Sequence, residues 1–377
     1  MKVARISPAR TIEVAHIEEP EVSHDTVKVR VERCGICGTD LVARTSSNPR
    51  WAVDSVLGHE IVGTVADVGE GVSGWKAGDR VALYHGSPCG QCEMCTSGRD
   101  YLCLDHLDSA LGHGVAQGGY AEHIVVGPNL LHRIPDGLSF DQAGIAEPLA
   151  IAFHGVNKSD AKAGDAICIL GAGPIGAMTA AALKARGVAD IAFVDPNPAR
   201  RALVEKSGYR AVDLAAVRDG DVAALGERRP TAIFECTGHV EAAGLAVELI
   251  AYNGRIVLQG VPKAPVLISQ YSVVQKEVEI VGSASCTQEE MEEAIGHLAA
   301  GRVRAEDIVT AVVPLEEVDA MFDALLDPAG EQLKVLIAPN MTQVRGEGPW
   351  VLPNWATPAF MSRTSTPCAI STRASLA

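Results

Sequence analysis

The chain of 377 residues lacks a basic balance: 32 lysines and arginines stand against 47 aspartates and glutamates, a formal net charge of −15. Phosphate backbones are bound by basic faces, so a nucleic-acid partner is not expected. A run of about 18 apolar residues is also missing, so no membrane span is expected. The opening stretch MKVARISPARTIEVAHIEEPEV carries no apolar core of a signal peptide, which points to an unexported, cytoplasmic protein. In that compartment the ten cysteines read as thiolate ligands and buried thiols, not disulfides. No long internal repeat is present. What the chain has in quantity is glycine, 37 residues, and 47% hydrophobic content. That is the composition of a glycine-rich α/β protein long enough for two domains.

Residues 1–155 are strand-like and rich in turns. Val27 to Val31 alternates as VKVRV, a half-buried strand pattern, and glycine-punctuated segments such as IVGTVADVGEGV follow. The pattern changes over residues 156–281. AICIL reads as a buried strand, PIGAMTAAALKARG as a helix, IAFVD as a strand and PARRALVEKSG as a helix. TAIFECTG and GRIVLQG are further strands, with the helix AAGLAVELIA between them. Strands alternating with helices predict parallel βαβ units and a doubly wound sheet. Residues 282–340 give an acidic helix from Gln288, a VVPL strand, a helix from Leu315 to Leu326 and the strand KVLIA. The tail, residues 341–377, is rich in Ser, Thr and Pro without periodicity, and reads as a disordered or appended segment despite Trp350, Trp355 and Phe360.

Four cysteines, Cys89, Cys92, Cys95 and Cys103, stand in CGQCEMCTSGRDYLC. Thiolates at this spacing can fold a short loop around one tetrahedral Zn²⁺ and leave no position open, which makes a structural site. A redox CxxC pair or a nucleic-acid zinc ribbon would be the alternatives; four thiols in one loop and the acidic charge disfavour both.

A second, looser set of donors is spread along the chain: Cys37 in RCGICGTD, His59 and Glu60 in LGHEIVG, and Glu147 in IAEPLAIAFHG. Sulfur, imidazole and carboxylate are donors that Zn²⁺ accepts, and a catalytic zinc keeps two or three protein ligands beside an open position. Asp40 is placed to take the other ring N–H of His59 and fix its tautomer. Each residue alone has a duller account, as buried thiol, core histidine or helix N-terminal acid. Together they read as an open metal site.

ICILGAGPIGAM is a strand, a GxGxxG turn and a helix. Gly171 allows the tight turn, Gly173 lets a pyrophosphate approach the backbone, and Gly176 lets helix pack on strand. With Pro174 and Ile175 they open the helix whose N-terminus favours anions. Asp195 closes the next strand, where a carboxylate grips the adenosine ribose and repels a 2′-phosphate, so NAD is favoured over NADP. Arg200 and Arg201 nearby pull the other way, since a guanidinium accommodates that phosphate.

These strings resemble the zinc-containing medium-chain alcohol and polyol dehydrogenases from about Val3 to Ile337. GHEIVGTVADVGEGV is similar to that family's zinc signature, with Gly58, His59, Glu60, Gly63, Gly69 and Val72 in place, as are GGYAEH at Gly118 to His123 and ECTG at Glu235 to Gly238. The resemblance implies an α/β protein: a GroES-like, β-rich catalytic domain made from residues 1–155 and 282–340, and a Rossmann domain from residues 156–281. It implies two zinc ions per subunit, with Cys37, His59 and either Glu60 or Glu147 holding the catalytic one. It also implies Thr39 as the hydroxyl that hands on the substrate proton, Thr237 among the cofactor contacts, and a homodimer or homotetramer. Many relatives have a histidine five residues after the zinc cysteine as the end of a proton relay; this chain has Val42, and His113 is one candidate to replace it.

The expected reaction is reversible hydride transfer between a secondary alcohol, in a polyol, cyclitol or similar hydroxylated metabolite, and NAD. Rivals within the class are an L-threonine 3-dehydrogenase or a simple-alcohol dehydrogenase, which differ in pocket residues such as Ser46, Trp51 and the stretch after Cys286. A non-catalytic dinucleotide sensor is the rival from outside it, and would be expected to have lost Cys37 or His59.

Overall fold

Strand formation begins at the amino terminus with an antiparallel pair, β1 (Lys2–Ile6) and β2 (Ile12–His16). The structure, a computed structural model, describes residues 1–105, 110–114 and 117–341. The VKVRV alternation opens β3 (Val27–Gly35), whose Val27, Val29 and Val31 are fully buried while Arg30 is exposed. β3 pairs antiparallel with β4 (Glu60–Val68), and β5 (Arg80–Leu83), β6 (His123–Val126) and β7 (Leu131–Arg133) join the same sheet.

The second sheet starts at β8 (Ala166–Leu170), the AICIL segment, which is buried along its whole length. A parallel strand covered by helices on both faces must be apolar throughout. β9 (Asp190–Val194), β10 (Arg210–Val212), β11 (Ala232–Glu235), β12 (Arg255–Leu258) and β13 (Glu279–Gly282) complete it. All neighbours are parallel and the order is β10-β9-β8-β11-β12-β13. The order reverses between β8 and β11, and the crevice at such a switch point is where doubly wound sheets bind ligands.

The chain then returns to its first sheet. β14 (Val309–Val313) and β15 (Lys334–Ile337) run parallel, and β15 lies antiparallel to β3 with Ile337 opposite Cys34 and Leu336 opposite Gly35. The path is β14-β15-β3-β4-β5-β7, with β6 also on β3. Helix Ala146–Ser159 packs against helix Pro174–Ala185 and helix Gln288–Ala299, joining the two sheets through one apolar core. Among the described residues, no helix is long and apolar enough to cross a membrane.

Two details differ from the sequence reading. The Leu315–Leu326 segment starts as a 3-10 turn at Leu315–Glu317, a common form of helix entry, before the α-helix Val318–Leu326. The strand expected at VVPL ends at Val313, since Pro314 has no N–H to give the ladder. Residues 342–377, including Trp350, Trp355 and Phe360, lie outside the described residues.

Candidate metal centres and nucleotide site

Cys37 caps the N-terminus of helix Gly38–Thr45, which follows directly on β3, and His59 and Glu60 stand at the start of β4. Because β3 and β4 are adjacent and antiparallel, with Gly35 opposite Glu60, two segments more than twenty residues apart present their donors to one point. One ligand atom each from Cys37, His59 and Glu60 lies within 4.8 Å of the others. Asp40 holds the arrangement together. Its Oδ2 accepts from the Cys37 N–H at 2.9 Å and the Tyr120 hydroxyl at 2.8 Å, and its Oδ1 accepts from the Gly58 N–H at 3.3 Å. The same Oδ1 stands 3.8 Å from His59 Nδ1, and a carboxylate beside a ligating imidazole helps fix the ring's orientation.

The donor set fits a cation. Sulfur, imidazole and carboxylate converge here, one donor atom of each within 4.8 Å of the others. Burial pushes the His59 imidazole down, but the Cys37 thiolate, with Asp40 and Glu147, outweighs it and pushes the ring up to about 10. Negative charge has accumulated here beyond what neutral imidazole balances, which is what a soft-to-borderline divalent ion such as Zn²⁺ answers. Glu60 also forms a buried ion pair with Lys334 of β15, whose ammonium donates to the Ile36 carbonyl at 2.8 Å. Burial presses Lys334 down, yet facing Glu60 raises it, so it stays charged. Cys37 is half-buried and Thr39 exposed, so the cluster opens to solvent on the side of this helix start.

Glu147 lies close by, outside the three-donor cluster. It is buried in the first turn of helix Ala146–Ser159 and is not among the three clustered donors; its Oε1 lies 2.7 Å from His85 Nδ1. Burial favours its protonation, but His85, then His59 and Lys334, outweigh that and lower its pKa. The His113 ring sits 4.7 Å from that of His59, edge to face, and Val42 is 38% exposed. Tyr120, Lys334 and His85 were not singled out in the sequence. A lysine inside the otherwise apolar strand KVLIA was the one local signal, because an isolated buried charge demands a partner.

The four-cysteine lobe closes on itself. Cys89 and Cys95 sulfurs are 3.9 Å apart, as are those of Cys92 and Cys103. Four thiolates about 2.3 Å from one zinc ion stand about 3.8 Å from one another, so the lobe is shaped for that ion. Backbone N–H groups of Cys92, Cys95 and Cys89 point at the Cys89, Cys92 and Cys103 sulfurs, the contacts that stabilise thiolates.

At the switch point, Gly171 has φ +101° and a Cβ on Gly176 would fall 2.0 Å from the Gly171 carbonyl oxygen, so both positions need glycine. A Cβ on Gly173 would meet nothing within 4 Å, leaving that face open to a phosphate at the start of helix Pro174–Ala185, whose first residues are Pro174 and Ile175. Asp195 accepts from the Ala172 and Asn197 N–H groups at 2.8 and 2.7 Å, which fixes its carboxylate beside the turn. A cavity of about 620 Å³ adjoins it, lined among others by Asp195, Arg200, Thr237 and His239. Arg200 Nε is buried there without a partner among the described residues, whereas Arg201 is engaged with Asp213 at 2.8 Å. The residues fit a dinucleotide.

Two family models match the chain: an alcohol dehydrogenase GroES-like domain over residues 23–136, and a zinc-binding dehydrogenase over residues 174–300. Sorbitol dehydrogenase of Bacillus subtilis is 30% identical over 349 residues, covering 90% of this chain and 98% of that protein. An alcohol dehydrogenase of Escherichia coli CFT073 complexed with NADH superposes with a TM-score of 0.83 at 28% identity, over 90% of this chain and 99% of that one. A zinc-binding dehydrogenase of Sinorhizobium meliloti 1021 bound to NADP gives 0.80 at 30% identity, again over 90% and 99%.

Proposed function

The chain belongs to the zinc-containing medium-chain alcohol and polyol dehydrogenases, and from that membership we propose that it transfers hydride reversibly between a secondary alcohol of a polyol, cyclitol or similar hydroxylated metabolite and NAD. The observation that carries this reading is the half-open cluster of Cys37, His59 and Glu60 in a chain that also has a dinucleotide turn. A zinc ion held there would supply Lewis-acid stabilisation of negative charge on the alcohol oxygen. A nicotinamide dinucleotide seated on Gly171, Gly173, Pro174, Ile175 and Gly176, with Asp195, Arg200 and Thr237 about its adenosine end, would supply the hydride acceptor.

The chain's own residues do the rest. Glu60 is the third ligand in this reading, since it clusters with Cys37 and His59 and Glu147 does not. Asp40 orients His59, and Lys334 opposes the upward push of burial on the Glu60 carboxyl. Thr39, exposed at the helix start, takes the alcohol proton and passes it towards solvent, because Val42 cannot. Cys89, Cys92, Cys95 and Cys103 hold a second, structural zinc. Residues 1–155 and 282–340 form the catalytic domain and residues 156–281 the nucleotide domain, in a protein of the cytoplasm. A second copy of the chain pairs along β13, the edge strand of its sheet, and Leu267, Val261, Tyr271 and Val274 offer exposed apolar side chains for such an interface. A monomer by light scattering at micromolar concentration refutes that pairing.

The function is tested by following nicotinamide absorbance with a panel of secondary alcohols and polyols. Oxidation with NAD, and its loss in Cys37→Ser, is expected. An Asp195→Ser variant should shift preference towards NADP; a wild-type enzyme strictly dependent on NADP refutes the assignment of Asp195.

A further inference from the structure

A cavity of about 250 Å³ shares no lining residue with the metal centre or the dinucleotide turn. It lies between helix Pro174–Ala185, the turn ahead of β10 and the segment 301–308 that leads into β14, so it spans the seam between the two sheets. Ala181, Val204 and Ile308 give it an apolar wall. Lys184, Arg302 and Arg304 reach it from exposed positions, three cations against the single carboxylate of Asp307.

The cations are held in place by groups that leave their outer N–H bonds free. Gly301, at φ +65°, closes helix Gln288–Ala299 with a left-handed turn, and the Arg302 N–H returns to the His297 carbonyl at 3.0 Å. That turn lays the Arg302 side chain back against the helix, where its Nε donates to His297 Nδ1 at 2.9 Å. Burial, then the Arg302 charge, lowers the His297 pKa against the pull of Glu293, so the ring is neutral and its Nδ1 lone pair accepts that bond. Among the described residues, both Nη groups of Arg302 lack a carboxylate or carbonyl partner. The same holds for the Lys184 ammonium, which stands 5.4 Å from the centroid of the Tyr209 ring. Arg304 approaches Asp307 through Nε, at 3.7 Å. A guanidinium fixed at Nε presents its remaining N–H groups as a fork that matches phosphate oxygens.

Charge selects the ligand. Three cations and one carboxylate leave two positive charges unbalanced around the cavity, in a chain whose net charge is −15. A phosphomonoester carries about two negative charges at neutral pH, whereas a carboxylate brings one. We propose that Lys184, Arg302 and Arg304 form a binding site for a small phosphomonoester, its phosphate on the three cations and its carbon body against Ala181, Val204 and Ile308. The site is separate from the dinucleotide: Lys184 lies about 15 Å along its helix from Pro174, at the end opposite the glycine turn.

Isothermal titration tests this on the zinc-loaded full chain with its nicotinamide dinucleotide at saturation, so that the glycine turn is occupied. The probes are n-propyl phosphate, inorganic phosphate and butanoate, none of which has an alcohol to oxidise. Propyl phosphate should bind saturably, more tightly than inorganic phosphate, which lacks the carbon body, and than butanoate, which lacks the second charge. Lys184→Gln and Arg302→Gln should each weaken propyl phosphate about tenfold, the worth of one charge-assisted contact, and leave kcat/KM for alcohols unchanged. Wild-type affinity should fall as salt rises, because the cations are exposed. No saturable binding of propyl phosphate, binding no tighter than that of the other two probes, or wild-type affinity in either variant overturns the proposal. Should Arg302→Gln fail to fold through loss of its bond to His297, Lys184→Gln decides the matter, since Lys184 makes no hydrogen bond among the described residues. The affinities are read without alcohol turnover, so their failure leaves the dehydrogenase reading standing, and absence of turnover leaves the phosphate site standing.

Discussion

Asp40→Asn is the sharpest perturbation of the metal centre, because it changes one atom of a side chain that is 1% exposed and serves four partners. The amide keeps one acceptor oxygen. Placed where Oδ2 was, it still receives the Cys37 N–H and the Tyr120 hydroxyl, so the NH₂ must face the Gly58 N–H and His59 Nδ1. A donor then opposes a donor at Gly58, and an amide N–H in place of Oδ1 faces His59 Nδ1, which favours the tautomer with no proton on Nδ1. That tautomer carries its remaining proton on Nε2, the nitrogen left for the cation, and must lose it before binding. Disturbing a carboxylate behind a ligating histidine costs about 10- to 100-fold in metal affinity. Loss of charge-assisted hydrogen bonds should take about 1.5–3 kcal/mol from folding stability. Zinc content and competition with a chromophoric chelator measure this, and the four-cysteine lobe, which Asp40 does not touch, provides an internal reference. The expected result is one zinc retained at wild-type affinity and one weakened. Tyr120→Phe, which removes one donor to the Asp40 carboxylate, should cost about 1.5–3 kcal/mol and leave both zincs in place. Wild-type affinity at both sites in Asp40→Asn would refute the role of Asp40 as the group that orients His59.

Two further outcomes follow from other parts of the molecule. Cys95→Ser should lose the structural zinc and make residues 89–103 sensitive to protease, with the other metal site still loaded; two zincs per subunit in that variant would contradict a closed four-thiolate site. The Glu290 carboxyl is held below its ordinary value: burial raises it, but His154, the Thr287 N–H and Asn157 together outweigh burial. A depressed carboxylate stabilises the fold above the unfolded pKa and loses that contribution as pH falls through the folded value. Glu290→Gln should therefore be less stable than wild type at neutral pH, with the gap narrowing below about pH 4.5. A gap that widens in acid, followed by urea denaturation at several pH values, would reverse the sign and refute the linkage.

Much of this was legible without coordinates because it depends on near neighbours in the chain. AICIL, the glycines at 171, 173 and 176 and the following helix sit in one short segment, where apolar runs and positive φ declare themselves locally. Cys89, Cys92, Cys95 and Cys103 are close enough for one loop to gather. His85 and Ser285 are 200 residues apart, and nothing in YHGSP or SASCT announces that they meet. Lys334 and Glu60 likewise come together only because β15 returns to pair with β3.

By itself the sequence determined the class of protein: a four-cysteine lobe and a dinucleotide turn, each written in short-range spacing, beside a scattered set of soft and hard donors. Tertiary structure decided which carboxylate joins Cys37 and His59. Strand pairing brings Glu60 to the cluster, whereas the first turn of a separate helix carries Glu147 to His85. The physical reason is that coordination depends on ångströms in space, and sheet register across distant segments sets those distances, which no local pattern encodes.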